Sequence, residues 1–342
     1  MLLNRGAEGC FSAIAASFNY TFEPIAAKYL LLNEKKISIQ TEATLLEVIM
    51  PFIGHLNLQQ IHDTSLEPFI KARLEQGRKH KTVNASLSVV RHILNLCARK
   101  WRDDQGRTLL ESSPLIEMLP LCDARPPRPI SWSEQRKLMP LLPAHLKRMV
   151  LLNLNTGVRD DVVCNLRWEW ELFIKELGCS VFKVPARYVK GRKCSRYMVC
   201  NRVAQSILDS QRGEHPEFVF TYQDGEKTEP HGIQTMNNTG WQNARRLVGL
   251  QDVRIQDLRH TVGMRLREAE VRGTTISDVL WHSTGSMTDH YSVAQARELL
   301  DALNLITDES NRTNVNLQML FRERDESLKD GSLQSPSTRK MG

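Results

Sequence analysis

The chain has 342 residues, 46 Lys+Arg against 39 Asp+Glu, and a formal net charge of +7. Hydrophobic residues at 41% and charged residues at 25% suit a globular protein with a sizeable core and exclude a disordered or collagen-like chain. No run of ~18 apolar residues is present, so no membrane span is expected, and the seven scattered cysteines form no CxxC or zinc spacing.

The N-terminal residues 1–22 are weakly patterned, with Glu8 interrupting any apolar run, and are read as a short extension without a secretory signal. The cysteines then fit reduced thiols filling the core of a cytoplasmic protein. From Glu23 the period becomes helical, with Ile25, Ala26, Tyr29, Leu30 and Leu32 on one stripe. A second helix covers Thr44 to Ile53, with Pro51 near a break, and a third runs from Leu66 to Leu74, ended by Gly77. Thr82 to Trp101 is the clearest helix. Val83, Leu87, Val90, Ile93, Leu94 and Leu96 form its apolar face, with Arg91, Arg99, Lys100 and Arg102 around it. Residues 23–112 therefore read as a helical bundle.

Residues 113–129 hold Pro114, Pro120, Pro126, Pro127 and Pro129 with interspersed arginines, which predicts an extended linker. Ser131 to Glu134 is a capping box that opens a new helix. An apolar helix from Leu146 to Asn155 stops at Thr156-Gly157. The period then changes: Cys179–Pro185 and Ser195–Cys200 read as strands flanking a turn at Lys190-Gly191-Arg192-Lys193. Helical patterning returns over 204–211, 239–247, 257–269, 277–280 and 293–303. From about Arg322 the chain reads as an unpatterned mobile tail. The expected fold is mainly α with a small antiparallel β-hairpin or sheet. A helical domain (23–112) precedes a mixed α/β domain (130–305) and a C-terminal segment (306–342).

The charge is concentrated. Arg187, Lys190, Arg192, Lys193, Arg196 and Arg202 fall within 185–202, which holds no acid. A basic hairpin fits a solvated turn and equally a DNA groove or phosphate backbone. Three further segments carry chemistry: Thr156-Gly157-Val158-Arg159, then Gln256-Asp257-Leu258-Arg259-His260-Thr261, then His282 through Thr288 to Tyr291. Each of the first two places an arginine at a helix start, where a phosphate is well received.

In order and spacing these segments resemble the boxes of the tyrosine recombinase (phage integrase) family, over roughly residues 23–305. The Lys190 turn lies where that family keeps its hairpin lysine. The resemblance implies a helical core-binding domain and a catalytic domain that close as a clamp on double-stranded DNA recombination sites. It further implies a tetramer of protomers, strand exchange through a Holliday junction, and accessory directionality or DNA-bending proteins. Arg159 and Arg259 would clamp the scissile phosphate with forks that lysine lacks. Tyr291 would attack phosphorus to leave a 3′-phosphotyrosine, Lys190 or its neighbour Lys193 would protonate the leaving 5′-oxygen, and His282 would donate to a phosphate oxygen. Conservation of the phosphodiester energy in that bond makes cofactor and metal unnecessary, and no P-loop or acidic metal cluster is seen. Arg187, Arg192, Lys193, Arg196, Arg91, Arg99 and Lys100 are the expected DNA-backbone contacts.

Three positions depart from the family pattern. Gln256 stands where His or Lys is usual, and it can donate a hydrogen bond but cannot act as acid or base near neutral pH. Val162 replaces an acid, leaving Asp160, Asp161 or the backbone to support Arg159. Trp281 replaces the glycine before His282, so it must pack somewhere and the turn can differ. An integrase of a mobile element, acting in integration or excision, is the favoured reading, with resolution and inversion left open. The rival readings are a type IB topoisomerase and a non-catalytic DNA-binding protein on a decayed recombinase scaffold. The segment after Tyr291, including Val315 to Phe321, is expected to dock either on a neighbouring protomer or on its own domain.

Overall fold

The computed structural model describes residues 20–123, 125–223, 229–282 and 296–329. The chain divides into two compact units, 1–126 and 127–342.

The first unit is helical: α1 (Phe22–Leu32), α2 (Ile39–Ile53), α3 (Asp63–Glu75) and α4 (His80–Arg99). α4 shows why it forms. Val83, Leu87, Val90, Ile93, Leu94 and Cys97 recur at 3–4 spacing and are all buried. They meet Phe22, Ile25 and Tyr29 of α1, Leu46 and Ile49 of α2, and Phe69 of α3 in one core. One detail differs from the sequence reading: Leu32 lies on the predicted stripe yet is exposed. Pro51 sits in the last turn of α2, which ends at Ile53, near the break expected there.

The proline-rich stretch is extended, as its φ restriction requires, but much of it is not a free spacer. Ile116 is buried in the first core. Asn84 brackets Leu119 with two 2.8 Å bonds, and the Asp123 carboxylate accepts from the His80 N–H at 2.8 Å. The expected linker at 113–129 thus loses its first part, 113–123, to the first unit. Polar side chains make these contacts, which apolar periodicity does not register.

The second unit opens on α5 (Trp132–Leu138), where Ser131 and Glu134 form the anticipated reciprocal cap. α6 (Ala144–Thr156) and α7 (Asp160–Cys164) follow. A three-stranded antiparallel sheet comes next: β1 (Glu171–Ile174), β2 (Cys179–Val184) and β3 (Arg196–Val199), in the order β1-β2-β3. β2 and β3 are the expected hairpin strands. β1 escapes the sequence reading because it is four residues long, with Leu172 and Phe173 both exposed, so it shows no alternation. The remaining elements are α8 (Arg202–Asp209), a two-residue pair β4 (Thr221–Tyr222) and β5 (His231–Gly232), α9 (Thr239–Leu247), α10 (Ile255–Glu268), α11 (Gly273–Val279), α12 (Ala296–Asn304) and α13 (Leu317–Lys329).

The main core of this unit runs through Leu146, Leu154, Val158, Val162, Phe182, Trp241, Leu258 and Trp281. Val262, Leu266, Leu280, Leu299, Leu300 and Leu303 join β2 and β3 residues in a second cluster. The helix α13 corrects the expectation of an unpatterned tail from Arg322. Its inward side is buried Met319 plus half-buried Arg322, whose guanidinium donates to the Pro129 carbonyl at 3.0 Å and reaches Glu134. An arginine anchor reads as polar and hides the period. The segment before α13 is tied to α10, with the Glu268 carbonyl accepting from Thr313 and Asn314. The C-terminal segment therefore packs on its own domain in this structure, leaving Leu317 and Phe321 exposed.

Among the described residues no helix is long and apolar enough to cross a membrane, and no His/Cys/Asp/Glu group could hold a metal ion.

Candidate active site

The site is built at three chain reversals that α10 brings together. The first is the end of α6. Gly157 takes φ +68° there, and its N–H closes the helix on the Asn153 carbonyl at 2.8 Å. The buried Asn153 side chain donates to the Val158 carbonyl at 2.9 Å and holds the turn from beneath. Arg159 follows as the residue capping α7, in extended conformation. A side chain at Gly157 is excluded twice, by the left-handed backbone and by space: a Cβ would lie 2.9 Å from Leu280 and 3.0 Å from Val262.

The second element is the first turn of α10. Asp257 caps it by accepting from the Arg254 N–H, and also accepts from the Arg128 N–H at 3.0 Å. Thr261 accepts from the Ile130 N–H at 2.9 Å, so the entering chain is pinned to α10. Arg259 follows Asp257 by two residues and is buried. Its Nη1 donates to the Gly157 carbonyl at 2.6 Å and its Nη2 to the Leu280 carbonyl. Burial lowers its pKa to about 10, with the nearby Arg159 charge acting in the same direction.

The third element is the exit of α11. The His282 N–H returns to the Ser277 carbonyl at 2.8 Å and the Trp281 N–H to the Asp278 carbonyl at 3.1 Å, a Schellman closure. Trp281 has φ +50°, is buried, and donates from Nε1 to the Tyr197 carbonyl of β3 at 3.0 Å. The turn is thus kept despite a tryptophan at the glycine position. His282 remains exposed. Its pKa is lowered by partial loss of hydration and then by the charges of Arg259, Arg159 and His260. His260 is half-buried, and desolvation likewise lowers it.

Arg159, Arg259, His260 and His282 therefore sit within one electrostatic group. Arg159 has a lowered pKa through burial alone. Among the described residues no acid pairs with it, and neither Asp160 nor Asp161 takes up that role. Val162 is buried in the core, which explains its apolar identity. Gln256 lies exposed on the first turn of α10.

Lys190 sits on the β2–β3 connection, in a turn closed by the Arg192 N–H on the Val189 carbonyl at 2.9 Å, with Gly191 at φ +88°. The turn is rooted by buried Val189 and by Tyr188 packed on Trp170. Lys190, Arg192 and Lys193 are exposed, Arg187 is exposed beside the Tyr188 ring, and Arg196 is half-buried. Among the described residues no interaction joins either lysine to the arginine–histidine group. Arg91 and Arg99 on α4, and Lys100 just after it, are exposed. Tyr291, Thr288 and His290 lie outside the described residues.

Reading the sequence alone misses the backbone carbonyls of Gly157 and Leu280, which no residue type can signal. It also misses Asn201, which is fully buried. Asn201 caps α8 by accepting from the Ala204 N–H, and donates to Asn155 at the end of α6 and to the Leu303 carbonyl of α12.

A mainly helical unit with a small antiparallel sheet is a fold shared with solved tyrosine recombinases. Residues 134–298 match the phage integrase family model. The chain is 27% identical over 197 residues to the integrase of Salmonella phage P22, a match covering 54% of this chain and 46% of that protein. It thus spans about half the length of that relative. The fold is shared with the Tn1549 transposon integrase in complex with transposon right-end DNA (TM-score 0.58, 14% identity, 82% of this chain and 97% of that one). It is also shared with a lambda integrase dimer bound to a COC′ core site (TM-score 0.53, 12% identity, 80% and 95%). XerH recombinase bound to palindromic difH substrate is similar as well (TM-score 0.52, 14% identity, 85% and 76%).

Proposed function

We propose that the protein is a site-specific DNA recombinase of integrase type, acting on double-stranded recombination sites as a tetramer. One observation carries this reading. The Arg159 charge lowers the Arg259 pKa, burial lowers both, and among the described residues no acid pairs with Arg159. Like charges held together partly out of water call for an anion, and a phosphodiester is the anion this family's reaction uses.

Arg259 spends one N–H of each terminal nitrogen on Gly157 and Leu280 and keeps a second on each for non-bridging oxygens. Arg159 supplies the other half of the clamp. Charge gathers on those oxygens in the transition state, where preorganised donors contribute most. The Tyr291 hydroxyl loses its proton to solvent as the arginine charge favours the phenolate, and its oxygen attacks phosphorus, forming the Tyr–O–P bond as the bond to the 5′-oxygen breaks. The departing oxygen takes its proton from Lys190. Lys190 is favoured over Lys193 because it lies in the hydrogen-bonded turn beside the buried anchor Val189. His282 stays neutral near pH 7, since its pKa is lowered, and donates an imidazole N–H to a phosphate oxygen. Attack by a 5′-hydroxyl of the partner strand reverses these bonds and releases Tyr291. The reaction needs neither metal nor nucleotide cofactor, and the exposed Arg187, Arg192 and Lys193 and the half-buried Arg196, with Arg91 and Arg99 of α4 and Lys100 just after it, contact the DNA backbone. Gln256 serves as a phosphate hydrogen-bond donor without transferring a proton.

The test is adduct formation. Target DNA is first obtained by mapping where the full-length chain crosslinks to host DNA, then offered as a nicked duplex. The wild-type chain should yield a denaturation-resistant protein–DNA adduct and Tyr291→Phe none. An adduct from Tyr291→Phe would remove Tyr291 from the mechanism.

A further inference from the structure

Trp281 occupies a left-handed backbone conformation, φ +50°, that disfavours any residue with a β-carbon. Nothing in the Schellman closure itself needs a side chain there. Its ring is nevertheless buried in the main core, and its Nε1–H is spent on the Tyr197 carbonyl at 3.0 Å. Tyr197 lies in β3, paired with Lys183 of β2, and so belongs to the hairpin whose connection carries Lys190. On either side of Trp281 stand the Leu280 carbonyl, which receives Arg259, and His282, whose N–H closes the turn. One residue therefore touches the hairpin through its side chain while its neighbours hold the arginine and present the histidine.

We propose that Trp281 is a positioning residue that locks the β2–β3 hairpin to the His282 turn, so that the lysine-bearing loop and the arginine–histidine group keep one geometry. A glycine would relieve the backbone strain and lose the tether; tryptophan accepts the strain in order to make it. The catalytic consequence rests on the recombinase reading above, whereas the tether is a property of the free protein and is tested without DNA.

Full-length Trp281→Phe keeps a ring and removes the N–H, and Trp281→Gly restores the favoured backbone while removing both. Amide hydrogen exchange is measured on each. Losing one hydrogen bond should speed exchange of residues 196–199 and 280–282 together by roughly fivefold in Trp281→Phe. The acceleration should be larger in Trp281→Gly, with α6 amides such as Leu152 and Leu154 unchanged within about twofold. Two results overturn the proposal: no joint acceleration of the two segments in either variant, or the same acceleration throughout the second unit, which would make the ring mere core filler. In single-turnover cleavage of the mapped site, Trp281→Phe should slow cleavage with DNA affinity retained, and an equal loss of affinity and rate would overturn its positioning role. Absence of cleavage by the wild-type chain would count against the recombinase reading and leave the exchange result to decide the tether.

Discussion

Arg259 donates through Nη1 to the Gly157 carbonyl across 2.6 Å, joining residues 102 apart in the chain. The same guanidinium reaches the Leu280 carbonyl. A single side chain thus ties the turn before Arg159 to the turn before His282, and the site's geometry depends on that bridge as much as on the residues expected to touch DNA.

Replacing Arg259 by lysine should be costly although charge is kept. One ammonium cannot span both carbonyls, and a buried acceptor left unpaired costs about 1–3 kcal/mol. The midpoint of urea unfolding of the second unit should fall accordingly, and cleavage of the mapped site should drop by roughly 100-fold or more. Unchanged stability would mean that the bridge is not formed in solution.

Gly157→Ala should be more damaging than an ordinary helix-end substitution. The added methyl meets Leu280 at 2.9 Å and Val262 at 3.0 Å in a left-handed backbone. Overpacking contributes about 1–3 kcal/mol and the backbone roughly a further 1. Thermal melting should show the loss, whereas alanine at Gly178, also at positive φ but with open space around it, should show only the backbone part.

Asn201→Ala removes the α8 cap and leaves Asn155 and the Leu303 carbonyl without that donor. The cap accounts for ~1 kcal/mol and the buried acceptors for about 1–3. Asn201→Asp should also destabilise, since it keeps the cap acceptor but lacks the amide donor. Denaturant titration of the two variants separates the contributions.

Acid should weaken the fold near the site. His260 and His282 both have pKa values below the ordinary imidazole value. Around that value the unfolded chain therefore binds more protons than the folded one, so stability rises with pH up to about 6.5 and falls as the pH drops below it. NMR titration of the two imidazoles should show midpoints below those of a denatured reference. A phosphate-bearing DNA site should raise the His282 midpoint, because its charge offsets those of Arg159 and Arg259.

Excess EDTA should leave adduct formation unaffected, because in the proposed reaction the charge on the scissile phosphate is met by Arg159 and Arg259. Loss of adduct on chelation, restored by a divalent cation, would contradict that division of labour.

The sequence by itself determined most of the helices and the order of the candidate site positions, although β1 and α13 escaped it. The 3–4 spacing of Val83 to Leu94 specifies α4, the Ser131–Glu134 cap starts α5, and Gly157 ends α6, because these are local rules of backbone and apolar period. The order of Arg159, Lys190, Arg259, His282 and Tyr291 was legible for the same reason, since motif spacing lies along the chain. The tertiary structure alone decided what holds them. Carbonyls of Gly157 and Leu280 grip Arg259, Asn84 straps the proline-rich stretch, and Arg322 anchors a helix where the sequence suggested a tail. Every residue carries a carbonyl and polar anchors follow no apolar period, so such partners are chosen only when distant turns meet. Trp281 shows both sides: the sequence marked it as the wrong residue for the turn, and only the fold supplied the Tyr197 carbonyl that makes a strained tryptophan worth keeping.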